Sequence, residues 1–386
     1  MMGISYGAGA SLLAAEHDPR IRAVVALSTW TDFGFSFAPH GTLSTAALDT
    51  LLASARHSGR LDRQATRLAG QVQSRPAAAI RTVRAMSAVR SPSTHLAALN
   101  RNHTAVMLAN AWEDSIFAPD QVVDFYRKLR TPKRLQLAAG DHGGPELAAL
   151  NGLPDPTVDS GIAWLDHYLY GARNHIARTD PVRLQDVATG AWHRYRRWPV
   201  ATTAVQLARP GHPGDVGTVA SAWRTSLRTG VDSGAASGPT MFLSSAQYAP
   251  PTLALSAVSG AHAFVWSGPA TRAPAVFAGT PRLQLSLSSS APKVSVFAYL
   301  YDVAPDGTGR LMSFTPYTAT GLSGRAQRVT IALRPIRWTV PAGDHVALVL
   351  DTVDARYRSA APAGTVVTAT SAPASQPAVL GVPLGR

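Results

Sequence analysis

The spacing of apolar residues changes near residue 183, and this change constrains the architecture more than any other feature of the sequence. Up to that point, short apolar runs rich in β-branched residues alternate with stretches whose apolar residues recur every three or four positions. Such alternation is typical of an α/β domain. Beyond it, apolar and polar residues alternate along short runs separated by Gly, Pro and Asp, as in an all-β sandwich. We therefore predict a partial α/β domain over residues 1–180 and a β-sandwich over 183–386.

Three apolar runs predict buried parallel strands in the first region. They cover residues 21–29, 104–110 and 133–139. Helical spacing predicts a helix over 120–129 between the last two runs, so these elements form a βαβ unit. Further helices are predicted over 8–16 and over 158–170, where Gly171 suits the helix C-terminus.

The stretch 34–101 interrupts this alternation with apolar residues at helical spacing, which predicts three amphipathic helices. A helical insertion at this place is typical of a cap over an active site. Its only acidic residues are Asp49 and Asp62, opposed by nine arginines, at positions 56, 60, 63, 67, 75, 81, 84, 90 and 101. A cap of this charge repels an ammonium group and favours a neutral or anionic acyl chain.

Alternating runs predict strands in the second region over 282–287, 294–302, 328–333 and 345–350. An Ala, Ser and Pro-rich segment, 371–376, predicts an exposed loop. Four aromatic residues on such runs either form a ligand-binding face or pack in the sandwich core; they are Phe242, Tyr248, Phe264 and Trp266. Core packing is the more common place for large aromatic side chains in a sandwich.

Composition excludes several classes of protein. The formal net charge is +13, but its carriers are almost all arginines spread along the chain, so the sequence does not predict a nucleic-acid partner. Zero cysteines exclude disulfides, thiolate metal sites and a cysteine nucleophile. No apolar run reaches the roughly 18 residues of a membrane span, and the first ten residues lack the pattern of a signal peptide.

A G-x-S-x-G motif, Gly3-Ile4-Ser5-Tyr6-Gly7, opens the chain and is followed by the small residues Ala8, Gly9 and Ala10. This motif predicts a sharp strand-to-helix turn that exposes the Ser5 hydroxyl, with small flanking residues that let the backbone crowd together. The backbone N–H of Tyr6 would then face a developing oxyanion. The alternative is a tight glycine turn with a solvated serine.

Two further residues follow in the order expected of a Ser, Asp, His triad. Asp114 comes after the strand 104–110, and His142 comes after the strand 133–139. Glu113 is a competing acid, and Asp141 could orient His142 locally. We therefore predict Ser5 as nucleophile, His142 as general base and Asp114 as the orienting acid. Trp30 and Trp112 are candidate substrate contacts.

These motifs together resemble the X-prolyl dipeptidyl-peptidase and cocaine esterase group of α/β-hydrolases. The resemblance rests on GISYG (3–7), DPRIRAVV (18–25), WEDSIFAP (112–119), KRLQL (133–137) and GDHG (140–143), and continues in WLDHYLYG (164–171), PVRLQ (181–185), YDVAPDG (301–307) and PAGDH (341–345). It covers nearly the whole chain. It implies that the second region is a C-terminal jelly roll, and that Ser5, Asp114 and His142 hold the family's catalytic roles.

The chain departs from this group at its front. Members of the group place a long catalytic-domain stretch before the nucleophile, whereas Ser5 is the fifth residue here. We expect the sheet to lack its central strand and to keep three strands. The sequence is then either a truncated gene or fragment, or translation begins further upstream, and we favour the second.

The sequence thus predicts a serine hydrolase that cleaves an acyl ester or an Xaa-Pro peptide bond through an acyl-enzyme and requires the upstream residues. It predicts neither metal nor organic cofactor, and its partner is a small ester or a short peptide. The alternative function is a non-catalytic remnant whose β-sandwich is an interaction or carbohydrate-binding module.

Overall fold

The computed structural model describes residues 1–59, 61–212, 214–217, 221–239 and 249–385. Within them the chain forms two compact units. The first comprises Met1–Ala38 and Ala47–Trp198, and the second comprises Pro39–Ala46, Pro199–Pro239 and residues from Pro250 onward. No helix in these described ranges is long and apolar enough to cross a membrane.

The first unit is built from helices and a mixed sheet. Its helices are α1 (Tyr6–His17), α2 (Phe33–Phe37), α3 (Thr45–His57), α4 (Arg63–Val72), α5 (Pro76–Arg90), α6 (Leu96–Asn102), α7 (Pro119–Lys128), α8 (Leu147–Leu150) and α9 (Pro156–Tyr170). Its strands are β1 (Met2–Ile4), β2 (Ala23–Leu27), β4 (Ala105–Ala111), β5 (Lys133–Ala138), β6 (Val182–Gln185) and β7 (Trp192–Tyr195). Single 3₁₀ turns lie at Pro92–Thr94 and Ile176–Arg178. All the helices and strands predicted for this region are present.

The sheet has the strand order β1-β2-β4-β5-β6-β7, and each neighbouring pair is parallel except β6 and β7. Every residue of β2 and β4 is buried, because α1 and α7 cover one face and α9 covers the other. Burial on both faces explains why these strands are continuously apolar in sequence. The helix α9 ends as predicted at Gly171, whose φ of 72° is favourable for glycine.

The expected three-strand sheet is wrong, because β1 pairs with β2 on one side and β6 and β7 extend the sheet on the other. The alternating pattern from residue 183 onward predicts strands of the β-sandwich. The same pattern also suits the edge of the sheet in the first unit. In the structure Val182 pairs with Leu135 of β5, and Tyr195 pairs with Val182. The apolar residues Val182 and Leu184 pack into the core of the first unit, which therefore continues to Trp198.

The three predicted amphipathic helices of the cap correspond to α3, α4 and α5. Their buried positions follow the predicted spacing, and include Leu48, Leu52, Leu68, Val83 and Met86. Val89, which continues the apolar pattern of α5, is instead exposed near the end of the helix. Burial of one stripe only is typical of helices that lie on a surface.

The second unit is a β-sandwich. Its strands are β3 (Leu43–Ser44), β8 (Thr203–Gln206), β9 (Trp223–Arg228), β10 (Thr252–Ala254), β11 (Phe264–Ser267), β12 (Ala275–Gly279), β13 (Arg282–Ser289), β14 (Lys293–Val303), β15 (Thr308–Thr320), β16 (Gln327–Ala332), β17 (Ile336–Val340), β18 (His345–Asp351), β19 (Tyr357–Arg358), β20 (Val366–Ser371) and β21 (Val379–Val382). Single 3₁₀ turns lie at Pro39–Gly41 and Leu255–Ala257. The four predicted strands match β13, β14, β16 and β18, and 372–376 is a turn as predicted.

The larger sheets of the sandwich have the orders β10-β15-β14-β18-β11 and β8-β21-β13-β20-β9, with β16 also paired to β13. Two short pairs, β12 with β17 and β3 with β19, complete the unit. The strand β14 is central and buried on both faces. Phe297, Tyr299 and Tyr301 lie in one hydrophobic cluster, while Ala298 and Leu300 point to the opposite face.

The aromatic residues considered for a ligand-binding face do not form one where they are described. Phe264 and Trp266 are both buried, and the Trp266 indole donates a hydrogen bond to the Ala208 carbonyl. They belong to the sandwich core. Phe242 and Tyr248 lie outside the described residues.

Two leucines of the first unit provide a test of its core. Leu135 on β5 is fully buried in the cluster between the sheet and the helices α1 and α7, whereas the side chain of Leu153 is 61% exposed. We expect Leu135→Ala to lower the free energy of unfolding by about 2–5 kcal/mol through lost apolar contacts and a cavity. The matched Leu153→Ala should change it by less than about 0.5 kcal/mol. Chemical denaturation measures both, and equal losses would contradict this description of the core.

Candidate active site

Ser5 lies at the turn between β1 and α1, at the carboxyl end of the strand. Its backbone has φ 54° and ψ −115°, a conformation that residues with a side chain rarely adopt. The Ser5 N–H donates to the Leu27 carbonyl of β2 at 2.9 Å, which anchors the turn to the sheet. Such strain is typical of the nucleophile elbow predicted from the motif.

Glycine is required at two positions around this turn. A Cβ on Gly3 would lie 2.3 Å from the Gly7 carbonyl carbon, and a Cβ on Gly9 would lie 2.4 Å from the Trp30 ring. The motif predicts that every glycine flanking Ser5 is crowded by neighbouring atoms. This prediction is wrong for Gly7. No described atom outside its own turn lies within 4 Å of a Cβ built there, and Gly7 is exposed.

His142 connects Ser5 to Asp114. Its Nε2 lies 2.8 Å from the Ser5 Oγ, and its Nδ1 lies 3.0 Å and 3.1 Å from the two carboxylate oxygens of Asp114. Asp114 and His142 are fully buried, whereas Ser5 is partly exposed. The three residues follow β1, β4 and β5, so the parallel strands bring them to one edge of the sheet.

The Asp114 carboxylate is held by its own loop. It accepts hydrogen bonds from the backbone N–H groups of Ile116 at 3.0 Å and Phe117 at 2.6 Å, and from the Asn110 side-chain amide at 3.3 Å. Glu113, the competing acid, donates its backbone N–H to the Gly140 carbonyl. The Nδ1 contacts of His142 at hydrogen-bond distance go to Asp114.

Asp141 orients the histidine through the backbone. One of its carboxylate oxygens accepts the N–H of His142 at 2.6 Å and the N–H of Ser115 at 2.6 Å. This carboxylate therefore ties the loop that carries His142 to the loop that carries Asp114.

Negative charges around His142 stabilise its protonated form. Burial opposes the charged imidazolium, but the Asp114 charge, its hydrogen bond to Nδ1, and the charges of Asp141 and Glu146 together outweigh burial and raise the pKa of His142. A raised pKa makes the neutral imidazole a stronger base. It also lowers the fraction of His142 that is neutral at low pH.

Glu146 and Ser28 were missed by the sequence analysis. The Ser28 hydroxyl donates to the Glu146 Oε2 at 2.9 Å and accepts the Gly143 N–H at 3.1 Å. Burial raises the pKa of Glu146 to about 7, despite the Ser28 hydrogen bond and the positive charge that His142 can carry. No motif marks either residue, because Ser28 follows an ordinary apolar strand and Glu146 lies in an irregular loop.

Aromatic side chains surround the histidine and the serine. Phe117 contacts the His142 ring edge-on at 5.1 Å between centroids, and Trp30 lies 5.2 Å from Phe117 and 6.0 Å from Tyr6. The Trp30 indole donates to the Arg90 carbonyl at the end of α5, which links the cap to this cluster. Trp30 thus lies beside the residue that follows Ser5, and its contact with substrate stays a prediction.

Trp112 does not share this position. Its side chain is 1% exposed and packs in the core beneath α7, and its indole donates to the Gln185 carbonyl. Trp112 directly follows β4, and its burial in this core gives it a packing role instead of the substrate contact considered for it.

The backbone N–H of Tyr6 is the first in α1. N–H groups in the first turn of a helix have no acceptor within the helix and are suited to bind an anion. The Tyr6 side chain itself is 77% exposed. Among the described residues, no group of three or more His, Asp or Glu side chains could hold a metal ion.

The mostly parallel sheet with its strained serine turn is the α/β part of a hydrolase fold. The β-sandwich that follows it in the chain is a β-rich C-terminal domain. A family model described as X-Pro dipeptidyl-peptidase (S15 family) matches residues 1–144, and one described as X-Pro dipeptidyl-peptidase C-terminal non-catalytic domain matches residues 174–376. The chain belongs to the X-Pro dipeptidyl-peptidase S15 and CocE/NonD hydrolase family.

Solved structures share this fold. A CocE/NonD family hydrolase from Staphylococcus aureus is 12% identical with a TM-score of 0.74, over 100% of this chain and 71% of that chain. An aminopeptidase from a marine sediment Thaumarchaeota archaeon is 16% identical with a TM-score of 0.70, over 100% and 76%. An α-amino acid ester hydrolase is 15% identical with a TM-score of 0.71, over 100% and 76%. No curated protein sequence matches the chain.

The two glycines of the G-x-S-x-G motif provide a matched test of the turn. We expect Gly3→Ala to destabilise the protein by more than about 2 kcal/mol, because its methyl group would overlap the backbone of Gly7. Gly7→Ala meets open space inside a helix, where alanine is favoured by about 1 kcal/mol, and should be neutral or stabilising. Thermal unfolding of both variants measures the difference. Equal destabilisation would refute the described packing of α1 on β1.

Proposed function

We propose that this chain is a serine hydrolase that cleaves an acyl ester or an Xaa-Pro peptide bond through an acyl-enzyme. The observation that carries the proposal is the position of His142, within hydrogen-bond distance of both Ser5 and Asp114. Membership in the S15 hydrolase family supports it, as do relatives of the same fold named as an ester hydrolase and an aminopeptidase.

The first half of the reaction forms the acyl-enzyme. His142 donates its Nδ1 proton in a hydrogen bond to Asp114, so its Nε2 lone pair faces Ser5. Ser5 Oγ attacks the acyl carbon while Nε2 takes the hydroxyl proton, and the carbonyl oxygen becomes an oxyanion beside the Tyr6 N–H. The imidazolium then gives its proton to the leaving alcohol or amine as the bond to the acyl carbon breaks.

The second half repeats these steps with water. His142 removes a proton from water, which attacks the ester carbonyl of the acyl-enzyme. The proton then returns to the Ser5 oxygen as the carboxylic acid leaves. Asp114 remains ionised throughout and stabilises the imidazolium.

We expect a fluorophosphonate to label Ser5, and Ser5→Ala to abolish the labelling. His142→Ala and Asp114→Asn should each lower turnover by roughly 10⁴-fold, because removal of either leaves the serine without its oriented base. The measurements are mass spectrometry of the labelled peptide and hydrolysis of an activated aryl ester.

Matched controls separate chemistry from folding. The exposed Ser58→Ala and His57→Ala should keep labelling and turnover. Glu113→Gln should cost far less than Asp114→Asn. Full activity in Asp114→Asn would show that another carboxylate orients His142. Labelling of Ser5→Ala would refute the assignment of Ser5 as the nucleophile.

The substrate preference is inferred from the charge of the cap. Both of its acidic residues are already engaged, since Asp62 caps α4 and pairs with Arg90 at 3.2 Å, and Asp49 accepts a hydrogen bond from Gln73. Of the nine arginines, Arg60 lies outside the described residues. A dipeptidyl-peptidase must bind a substrate ammonium group, which needs a carboxylate or several acceptors when it is buried. The cap favours a neutral or anionic acyl group instead.

We therefore expect hydrolysis of a short-chain aryl ester to exceed that of an Ala-Pro arylamide by at least about tenfold in kcat/KM, equivalent to about 1.4 kcal/mol. The N-acetylated Ala-Pro arylamide serves as the control for the ammonium charge and should be hydrolysed at least as well as the free amine. A preference for the free dipeptide amide that is lost on acetylation would contradict the esterase assignment.

A further inference from the structure

Glu146 is a buried carboxyl group beside the catalytic histidine. It comes four residues after His142 and directly before α8, and its side chain is fully buried. Its Oε2 accepts the Ser28 hydroxyl, while its Oε1 has no hydrogen-bond partner among the described residues. A buried carboxyl group with one free oxygen is costly for folding, and such groups cluster at functional sites.

Ser28 joins this carboxyl group to the loop of His142. It follows β2 directly, has a φ of 46°, and donates its N–H to the Ala109 carbonyl of β4 at 2.7 Å. Its hydroxyl bonds Glu146 on one side and the N–H of Gly143 on the other. Gly143 is the residue after His142, so the sheet holds the histidine loop through one serine hydroxyl and one carboxyl group.

We propose that Glu146 is a positioning residue whose carboxylate is a second negative partner of His142, complementing Asp114, and whose bond to Ser28 fixes the histidine loop. The proposal rests on the function proposed above. When His142 takes the Ser5 proton it becomes a buried cation, and a nearby carboxylate stabilises it more than water would.

The charges that act on this pair are identifiable. His142 faces Asp114 from the loop after β4, and Asp141 and Glu146 from its own loop. Glu146 faces His142, Asp114, and Asp155 at the start of α9. The charges of His142 and Glu146 therefore act on each other, and each favours the opposite charge on its neighbour.

The test compares Glu146→Gln with wild type. Glutamine keeps an oxygen that accepts the Ser28 hydroxyl but removes the charge. Loss of that charge lowers the pKa of His142, and because the base must be neutral, the acidic limb of kcat/KM moves to lower pH. We expect a shift of about half a pH unit or more. We also expect kcat to fall about tenfold with little change in KM, because the interaction forms with the imidazolium.

The titration of His142 is measured directly by NMR, with its resonance assigned by its loss in His142→Ala. Asp159→Asn, an exposed carboxyl change at the start of α9, is the control and should leave both titration and activity unchanged. Identical His142 titrations in wild type and Glu146→Gln would overturn the proposal. So would a loss of kcat without movement of the acidic limb, which indicates a purely structural role.

A second variant covers the case in which Glu146→Gln does not fold. Ser28→Ala removes the hydrogen bond that favours the charged form of Glu146, so the carboxyl group becomes more protonated and the pKa of His142 should fall in the same direction by less. An unchanged His142 titration in Ser28→Ala would then overturn the proposal. The NMR titration needs no turnover, so it decides the effect of Glu146 on His142 separately from the proposed function.

Discussion

Parallel pairing of β1, β2, β4 and β5 brings the residues of this site together. Because these strands run in one direction, their carboxyl ends meet at one edge, and the residues that follow them are separated by long stretches of sequence but lie within hydrogen-bond distance. Ser5 follows β1, Ser28 follows β2, Asp114 follows β4 and His142 follows β5. The strands β2 and β4 make this edge rigid. All their residues are buried, because successive side chains pack against helices on the two faces of the sheet.

Three carboxyl groups around one imidazole have different roles because their surroundings differ. The Asp114 carboxylate accepts two backbone N–H groups and bonds the His142 Nδ1, so it orients the imidazole ring. Asp141 accepts two backbone N–H groups and joins two loops. Glu146 bonds the Ser28 hydroxyl, and burial raises its pKa to about 7.

Much of the fold follows from residue spacing. The apolar runs give β2 and β4 because a strand buried on both faces is largely apolar, and the helices α3, α4, α5 and α9 show the period of a half-buried helix. The location of β6 and β7 could not be predicted in this way. An alternating strand of four residues suits the edge of either sheet, and only the pairing of Val182 with Leu135 assigns it to the first unit. Trp112 likewise resembles a site residue in sequence, and only the structure places its side chain in the core.

The sequence by itself determined the two architectures, the order of Ser5, Asp114 and His142, and the need for small residues around Ser5. These are local properties, set by hydrophobic period, turn chemistry and the end of each strand. Tertiary structure alone decided which of two adjacent acids bonds His142, which flanking glycine is crowded, and that Ser28 and Glu146 meet behind the histidine. Such contacts join residues as far apart as 118 positions, and no local pattern encodes them because they depend on how strands and loops pack in space.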